Sequence, residues 1–249
     1  MNKKTAITSS FALAALLASG FAAAAGAVQW SYSGSQGPEY WGKLAPEFSI
    51  CSTGKNQSPI NLTGMVEGEL PTLKVNYKVG GHEVINNGHT IQINYASGSY
   101  MSVGDKSFAL KQVHFHSPSD NTIEGRSYPL EVHFVHADKN GNLAVIAVML
   151  ETGKPNAELQ KAWAEMPMEK GGKAALKEAI DAGKLLPQNL GYYRYNGSLT
   201  TPPCSEGVSW FVMKSPDTAS TEQVDKFVRA MKHANNRPVQ PVNARLIVQ

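Results

Sequence analysis

Between residues 73 and 150 the chain runs in short stretches of alternating apolar and polar positions. They are rich in Val, Ile, Phe and Tyr and are interrupted by Gly80-Gly81, Asn87-Gly88, Ser97-Gly98 and Asn140-Gly141. A period of two sends successive side chains to opposite faces of a strand, and glycine pairs and Asn-Gly steps make turns, so this part reads as a series of strands. The clearest cover residues 90–95, 109–116, 130–137 and 143–150; the last is nearly all apolar, which places it centrally, with both faces covered. Helical patterning is confined to three short segments, 156–164, 173–179 and 221–233, the third opened by Ser220 and Gln223 at capping-box spacing. The stretch up to Pro71 is rich in Gly, Pro, Ser and Trp and is expected to wrap the sheet irregularly. The pattern predicts a mainly β, α+β fold: a single domain in which short helices decorate a sheet.

The first residues follow a different pattern. Lys3 and Lys4 precede an apolar stretch over residues 11–25 that ends in small residues suited to an A-x-A cleavage site, the make-up of a secretory signal peptide. Residues 1–25 are therefore assigned to a leader cut near 25–27, and residues 28–249 to the folded domain, with an uncleaved anchor as the competing reading. No later segment reaches the roughly 18 apolar residues of a membrane helix, so the mature protein is expected to be unanchored and periplasmic or secreted. Glycosylation-type sites are limited to Asn61-Leu-Thr63 and Asn196-Gly-Ser198, which favours a bacterial periplasm. Formal charge is +3, from 23 Lys and Arg against 20 Asp and Glu; losing Lys3 and Lys4 takes it to about +1, which gives no reason to expect nucleic acid or an anionic membrane as partner. Cys51 and Cys204 are the only cysteines. An even count in an oxidising compartment argues for one disulfide, two buried thiols being the alternative.

The chemistry concentrates in Gln112-Val-His-Phe-His116 and Glu131-Val-His-Phe-Val-His136. On strands, Gln112, His114 and His116 share one face, as do Glu131, His133 and Val135, while His136 points the other way. If the strands are neighbours, three imidazoles converge. Three histidines suit Zn2+, with a fourth tetrahedral position left for water in a catalytic site. Gln112 and Glu131 each lie two residues from a histidine on its own face, where they can accept from the second ring nitrogen and fix the tautomer. A single H-x-H more often marks half-buried histidines bonded to backbone carbonyls; two such strands with polar companions shift the balance toward a metal. His136 is read as a packed, hydrogen-bonded residue.

The whole mature chain resembles the alpha carbonic anhydrases. The resemblance runs through Trp30-Ser-Tyr32, Gly37-Pro-Glu-Tyr-Trp41, Gln57-Ser-Pro-Ile-Asn61, Asn86-Asn-Gly-His89, the two histidine strands, Gly197-Ser-Leu-Thr-Thr-Pro-Pro203 and Asn236-Arg-Pro-Val-Gln-Pro241. It implies a large, mostly antiparallel twisted sheet with zinc at the base of a conical cleft, hydrating carbon dioxide to bicarbonate and a proton. It implies that Thr200 orients the attacking oxygen, that His89 shuttles protons to buffer, and that Val135, Val145, Leu199, Thr201 and Trp210 receive the substrate. It also implies a Cys51–Cys204 bond, cis peptides at Ser58-Pro59 and Pro202-Pro203, and a small-molecule enzyme that is a monomer or homodimer.

One position departs from the pattern: where the resemblance expects a glutamate that accepts from Thr200, this chain has Asp120, one methylene shorter, with Glu124 as a second candidate. Two other functions compete. A binding module of the same fold, lacking turnover, is opposed by the full set of three histidines. A zinc ester or peptide hydrolase is opposed by the absence of H-E-x-x-H on a helix.

Overall fold

The computed structural model describes residues 28–249; the leader assigned to residues 1–25 lies outside them. Two short helices come first, α1 (Trp41–Leu44) and α2 (Ile50–Thr53), followed by β1 (Asn61–Leu62), β2 (Leu73–Asn76), β3 (Gly81–Asn86), β4 (Ile91–Tyr95) and β5 (Tyr100–Val103). The middle of the chain forms β6 (Lys106–His116), β7 (Thr122–Ile123), β8 (Leu130–Ala137) and β9 (Leu143–Thr152), then α3 (Ala157–Ala164). The remainder gives β10 (Lys173–Ile180), β11 (Tyr192–Ser198), β12 (Glu206–Met213), β13 (Asp217–Ala219) and α4 (Thr221–Met231).

Eleven strands make one sheet whose main path is β10-β3-β4-β6-β8-β9-β12-β11. Its pairs are antiparallel except where β9 meets β12 and β13, so the sheet is mixed. β9 is central, as its apolar run predicts, with Ala144 to Leu150 all buried. On one face Phe115, Phe134, Val132, Ile146 and Val148 pack with Leu159, Trp163 and Phe227 from α3 and α4. Ring contacts Phe115–Trp163 at 4.8 Å and Trp163–Phe227 at 5.9 Å close that layer. Each such side chain contributes roughly 1.5–3 kcal/mol by leaving water. The covered face is the sheet's foundation; the other face is left to carry the cleft.

Both helices have the starts their sequence predicts. Asn156 accepts from the backbone of Glu158 and Leu159, and Ser220 with Gln223 forms a reciprocal capping box. The segment 173–179, expected to be helical, is instead an edge strand. Its backbone pairs with β3, Lys173 opposite Ile85 and Ile180 opposite Gly81. The Ala-rich run has helix propensity, but β3 offers an open ladder and Ile180 a fully buried seat, and that tertiary gain exceeds a local preference of a few tenths of a kcal/mol per residue. The irregular stretch before Pro71 wraps as expected. Trp41 packs with Cys51 and Cys204, which are joined as a disulfide across 153 positions. Ser58-Pro59 and Pro202-Pro203 are cis, as is Ser117-Pro118.

Candidate metal centre and active site

β6 keeps apolar side chains on the core along its whole length, and a one-residue bulge changes which positions do so. Leu110 stands opposite His136 and Gln112 opposite Val135, so Lys111 is the extra residue. Before it Phe108 and Leu110 face the core; after it Val113 and Phe115 do, in the same cluster. The parity change turns Gln112, His114 and His116 to the open face. His114 lies directly opposite His133 on β8, and His116 opposite Glu131.

Each of the three rings is locked through one nitrogen. His114 Nδ1 is 2.8 Å from Gln112 Oε1, His133 Nε2 is 2.8 Å from Glu131 Oε1, and His116 Nδ1 is 2.7 Å from the carbonyl of Asn235. All three partners are acceptors, so those nitrogens carry the protons, and His114 Nε2, His116 Nε2 and His133 Nδ1 are left as lone pairs. Ligand atoms of the three residues lie within 4.8 Å of one another. The His114 Nε2 to His133 Nδ1 distance is 3.3 Å, and no proton is left to bridge it. Lone pairs facing at that separation repel unless a cation lies between them; two ligands at tetrahedral corners about 2.0–2.1 Å from zinc stand about 3.3–3.4 Å apart. His116 Nε2 is buried without a hydrogen-bond partner, which a metal would satisfy. The donor set therefore fits zinc.

Burial keeps His114 and His116 in the ligating form. Burial, followed by the neighbouring imidazoles, pushes His114 well below its ordinary value. Burial also lowers His116, against the opposing pull of Asp120. For Glu131 burial alone would raise the carboxyl, but the charge and hydrogen bond of His133 and the amide of Asn121 hold it below the usual carboxylate range. Asn121 grips both carboxylate oxygens, through its backbone N at 2.8 Å and Nδ2 at 2.7 Å. Its Oδ1 accepts from the Tyr195 hydroxyl at 2.9 Å.

The segment after α4 straps the site from the other side. Beyond its carbonyl on His116, Asn235 accepts from Ser117 N at 2.8 Å and donates from Nδ2 to the carbonyls of His89 and Phe115 at 3.0 and 2.9 Å. Two residues on, Arg237 is buried, with NH1 donating to Gln57 Oε1 and the Ser58 carbonyl and NH2 to the Cys51 carbonyl. Its backbone N donates to Asp120 Oδ1 at 2.8 Å. Asp120 Oδ2 has no hydrogen-bond partner and lies 3.5 Å from His116 Nε2. The hydrogen bond from Thr200 that the resemblance implies is not among those Asp120 makes: Oδ1 accepts from Arg237 N and Oδ2 has no partner. Glu124, the other candidate, is exposed at φ 49°, accepts from Thr63 and takes no part in the site.

Thr200 itself is buried on the segment leaving β11. That segment is fixed by Ser198 N on Ser58 Oγ, Leu199 N on the Ser205 carbonyl, Cys204 N on the Thr201 carbonyl and the disulfide. Val145, Trp210, Val135 and Leu199 fall in one apolar cluster. Trp210 is edge-on to the His133 ring at 5.0 Å. Thr201 and His89 line a cleft of about 140 Å³ with Trp30, Tyr32, Gln112, His114 and His116. His89 is stacked on Trp30, centroids 3.7 Å apart at 11°, and burial, then the charges of Lys170 and His233, bring it down to about 4. His136 lies on the core face, bonded to the Tyr77 hydroxyl at 2.7 Å and the Ala144 carbonyl at 3.3 Å.

Sequence reasoning grouped the three histidines and two of their hydrogen-bond partners but missed Asn235, Asn121 and Arg237. Asn235 acts on His116 through a backbone carbonyl, which leaves no mark in the side-chain pattern. The signals available for the other two were their neighbourhoods, beside Asp120 and inside the Asn-Arg-Pro motif.

Comparison with known proteins agrees with this geometry. The family model described as eukaryotic-type carbonic anhydrase matches residues 36–249. A carbonic anhydrase of Neisseria gonorrhoeae is 53% identical over 88% of this chain and 87% of its own length. One from Pectobacterium atrosepticum is 46% identical over 96% and 98%. Among solved structures, the alpha-carbonic anhydrase of Thermovibrio ammonificans in complex with the inhibitor sulfanilamide is 52% identical, covers 90% of this chain and all of its own, and superposes with a TM-score of 0.88. The chain belongs to the eukaryotic-type, or alpha, carbonic anhydrase family.

Proposed function

We propose that this protein catalyses the reversible hydration of carbon dioxide to bicarbonate and a proton, with Zn2+ held by His114, His116 and His133. The observation that carries the reading is the convergence of three lone pairs, each on a ring whose other nitrogen is already committed. When bound, zinc supplies the Lewis acidity that brings the pKa of water to about 7, a magnitude for which carbonic anhydrase is itself the reference case.

The remaining work belongs to the chain. Gln112, Glu131 and the Asn235 carbonyl hold the rings in one tautomer, so the donor atoms need no rearrangement. Val135, Val145, Leu199 and Trp210 offer carbon dioxide an apolar seat with no competing hydrogen bond. Thr200 orients the oxygen nucleophile, a role that suits a hydroxyl able to donate and accept at once, and Thr201 meets the product at the cleft. Asp120 positions the Arg237 strap through Oδ1 and keeps a carboxylate charge beside His116. His89 carries the released proton toward solvent. The disulfide suits an oxidising compartment, and no helix among the described residues is long and apolar enough to cross a membrane. We read the protein as exported to the periplasm or beyond, acting on a small molecule without nucleic acid or anchor, as a monomer or homodimer.

The test is stopped-flow hydration of carbon dioxide by metal-replete, chelator-stripped and zinc-restored protein, with zinc counted per chain. The rate is expected to track zinc and to be blocked by sulfanilamide. A fully loaded protein that leaves hydration at its uncatalysed rate would end the proposal.

A further inference from the structure

The way out of the cleft contains a second histidine. Helix α4 ends at Lys232 in the left-handed conformation, φ 63°, and the turn puts His233 on the surface. Its Nδ1 lies 3.0 Å from the Ala234 carbonyl, which leaves Nε2 as the free base. The ring lies 5.8 Å from that of Tyr32, which is 5.4 Å from Trp30, on which His89 is stacked. Asn235, two residues on, donates to the His89 carbonyl, so both histidines are fixed to one framework. Lys170 also borders His89, its side chain lying against Gly88, whereas Lys232 is paired with Glu169.

This arrangement makes His89 a poor place for a proton to rest. Burial comes first, and the charges of Lys170 and His233 add to it, so His89 stands at about 4. A proton released near neutral pH seldom rests at that site. His233, exposed at the rim with Nε2 free, completes the route.

We propose that His233 is a further proton-transfer residue, taking over at the cleft rim the proton that passes His89 and delivering it to buffer. The step balances: the proton leaves cleft water, crosses His89, bonds to His233 Nε2 and departs on a buffer base, with no change of oxidation state. The inference rests on reading the site as one that hydrates carbon dioxide.

The experiment compares zinc-loaded wild type with His233→Ala, His89→Ala and the double variant, measuring kcat and kcat/KM from dilute to concentrated imidazole buffer. NMR titration of the His89 ring is run in wild type and in His233→Ala. In dilute buffer His233→Ala is expected to lose about 3-fold in kcat, and the double variant to fall no further than His89→Ala because both residues serve one route, within the ~100-fold or more that a placed proton acceptor contributes. The loss should appear in kcat rather than kcat/KM, concentrated imidazole should restore it, and the His89 midpoint should rise when His233 is removed. An unchanged kcat in dilute buffer, or an unmoved His89 midpoint, overturns the proposal while leaving hydration intact. No hydration in any buffer overturns this inference and the functional reading together.

Discussion

Each nitrogen facing the metal position belongs to a strand in the middle of the sheet, and two of the three are held by a partner from the same strand, two residues away. The rim is assembled otherwise. Trp30, Tyr32, His89 and His233 come from segments outside the strands; His89 stacks on Trp30, Tyr32 is edge-on to Trp30, and His233 lies against Tyr32. His116 and His133 are buried and His114 half-buried, each ring hydrogen-bonded at one nitrogen; the rim is partly exposed and bordered by Lys170. A ligand set must hold its geometry to fractions of an ångström, whereas a proton carrier must meet solvent, and the two positions in the fold match those two demands.

Substitutions of decreasing expected effect probe this contrast. His133→Ala removes a central donor and is expected to abolish both zinc retention and hydration, read by metal content and stopped flow; retained zinc at full stoichiometry would show that the platform is not the metal site. Cys51→Ser with Cys204→Ser opens a closure of 153 positions and should lower stability by about 2–5 kcal/mol in urea unfolding, while slowing turnover through the Thr200 segment.

The buried His136 gives a pH signature. Burial holds it at about 4 in the folded protein against 6.5 in the unfolded chain. The unfolded state therefore binds the extra proton between these values. This contribution is fully present above about pH 6.5 and is lost as pH falls toward 4, by up to ~3 kcal/mol. Urea midpoints at pH 7 and pH 5 should differ accordingly, and His136→Gln should flatten the slope. Gln112→Ala and Glu131→Ala should each weaken zinc ~10–100-fold in chelator competition, the usual effect of removing a group that orients a ligand. His89→Ala, the mildest, should slow turnover mainly in dilute buffer.

Much of the platform was legible because it is local. A period of two puts His114 and His116 on one face of their strand and His133 with Glu131 on one face of theirs, and the expected run 130–137 coincides with β8. Where meaning depends on a distant partner, the pattern is silent or misleading. The segment 173–179 has the composition of a helix and becomes a strand because β3 lies beside it. Asn235 touches His116 across 119 positions, and Arg237 reaches Gln57 across 180. Asp120 was legible as a substitution, but that its carboxylate would settle on Arg237 required the coordinates.

The extra residue at Lys111 has an implication for anyone altering this scaffold. Leu110 and Gln112 already stand opposite consecutive residues of β8, so a chain shortened by that one position would pair as a regular ladder, with His114 and His116 still on the open face and Val113 and Phe115 still on the core. The side to which the histidines turn is therefore set by alignment with β8 rather than by counting from the start of β6, and a histidine pair moved into another sheet would need that facing strand in the same alignment, with or without the extra residue.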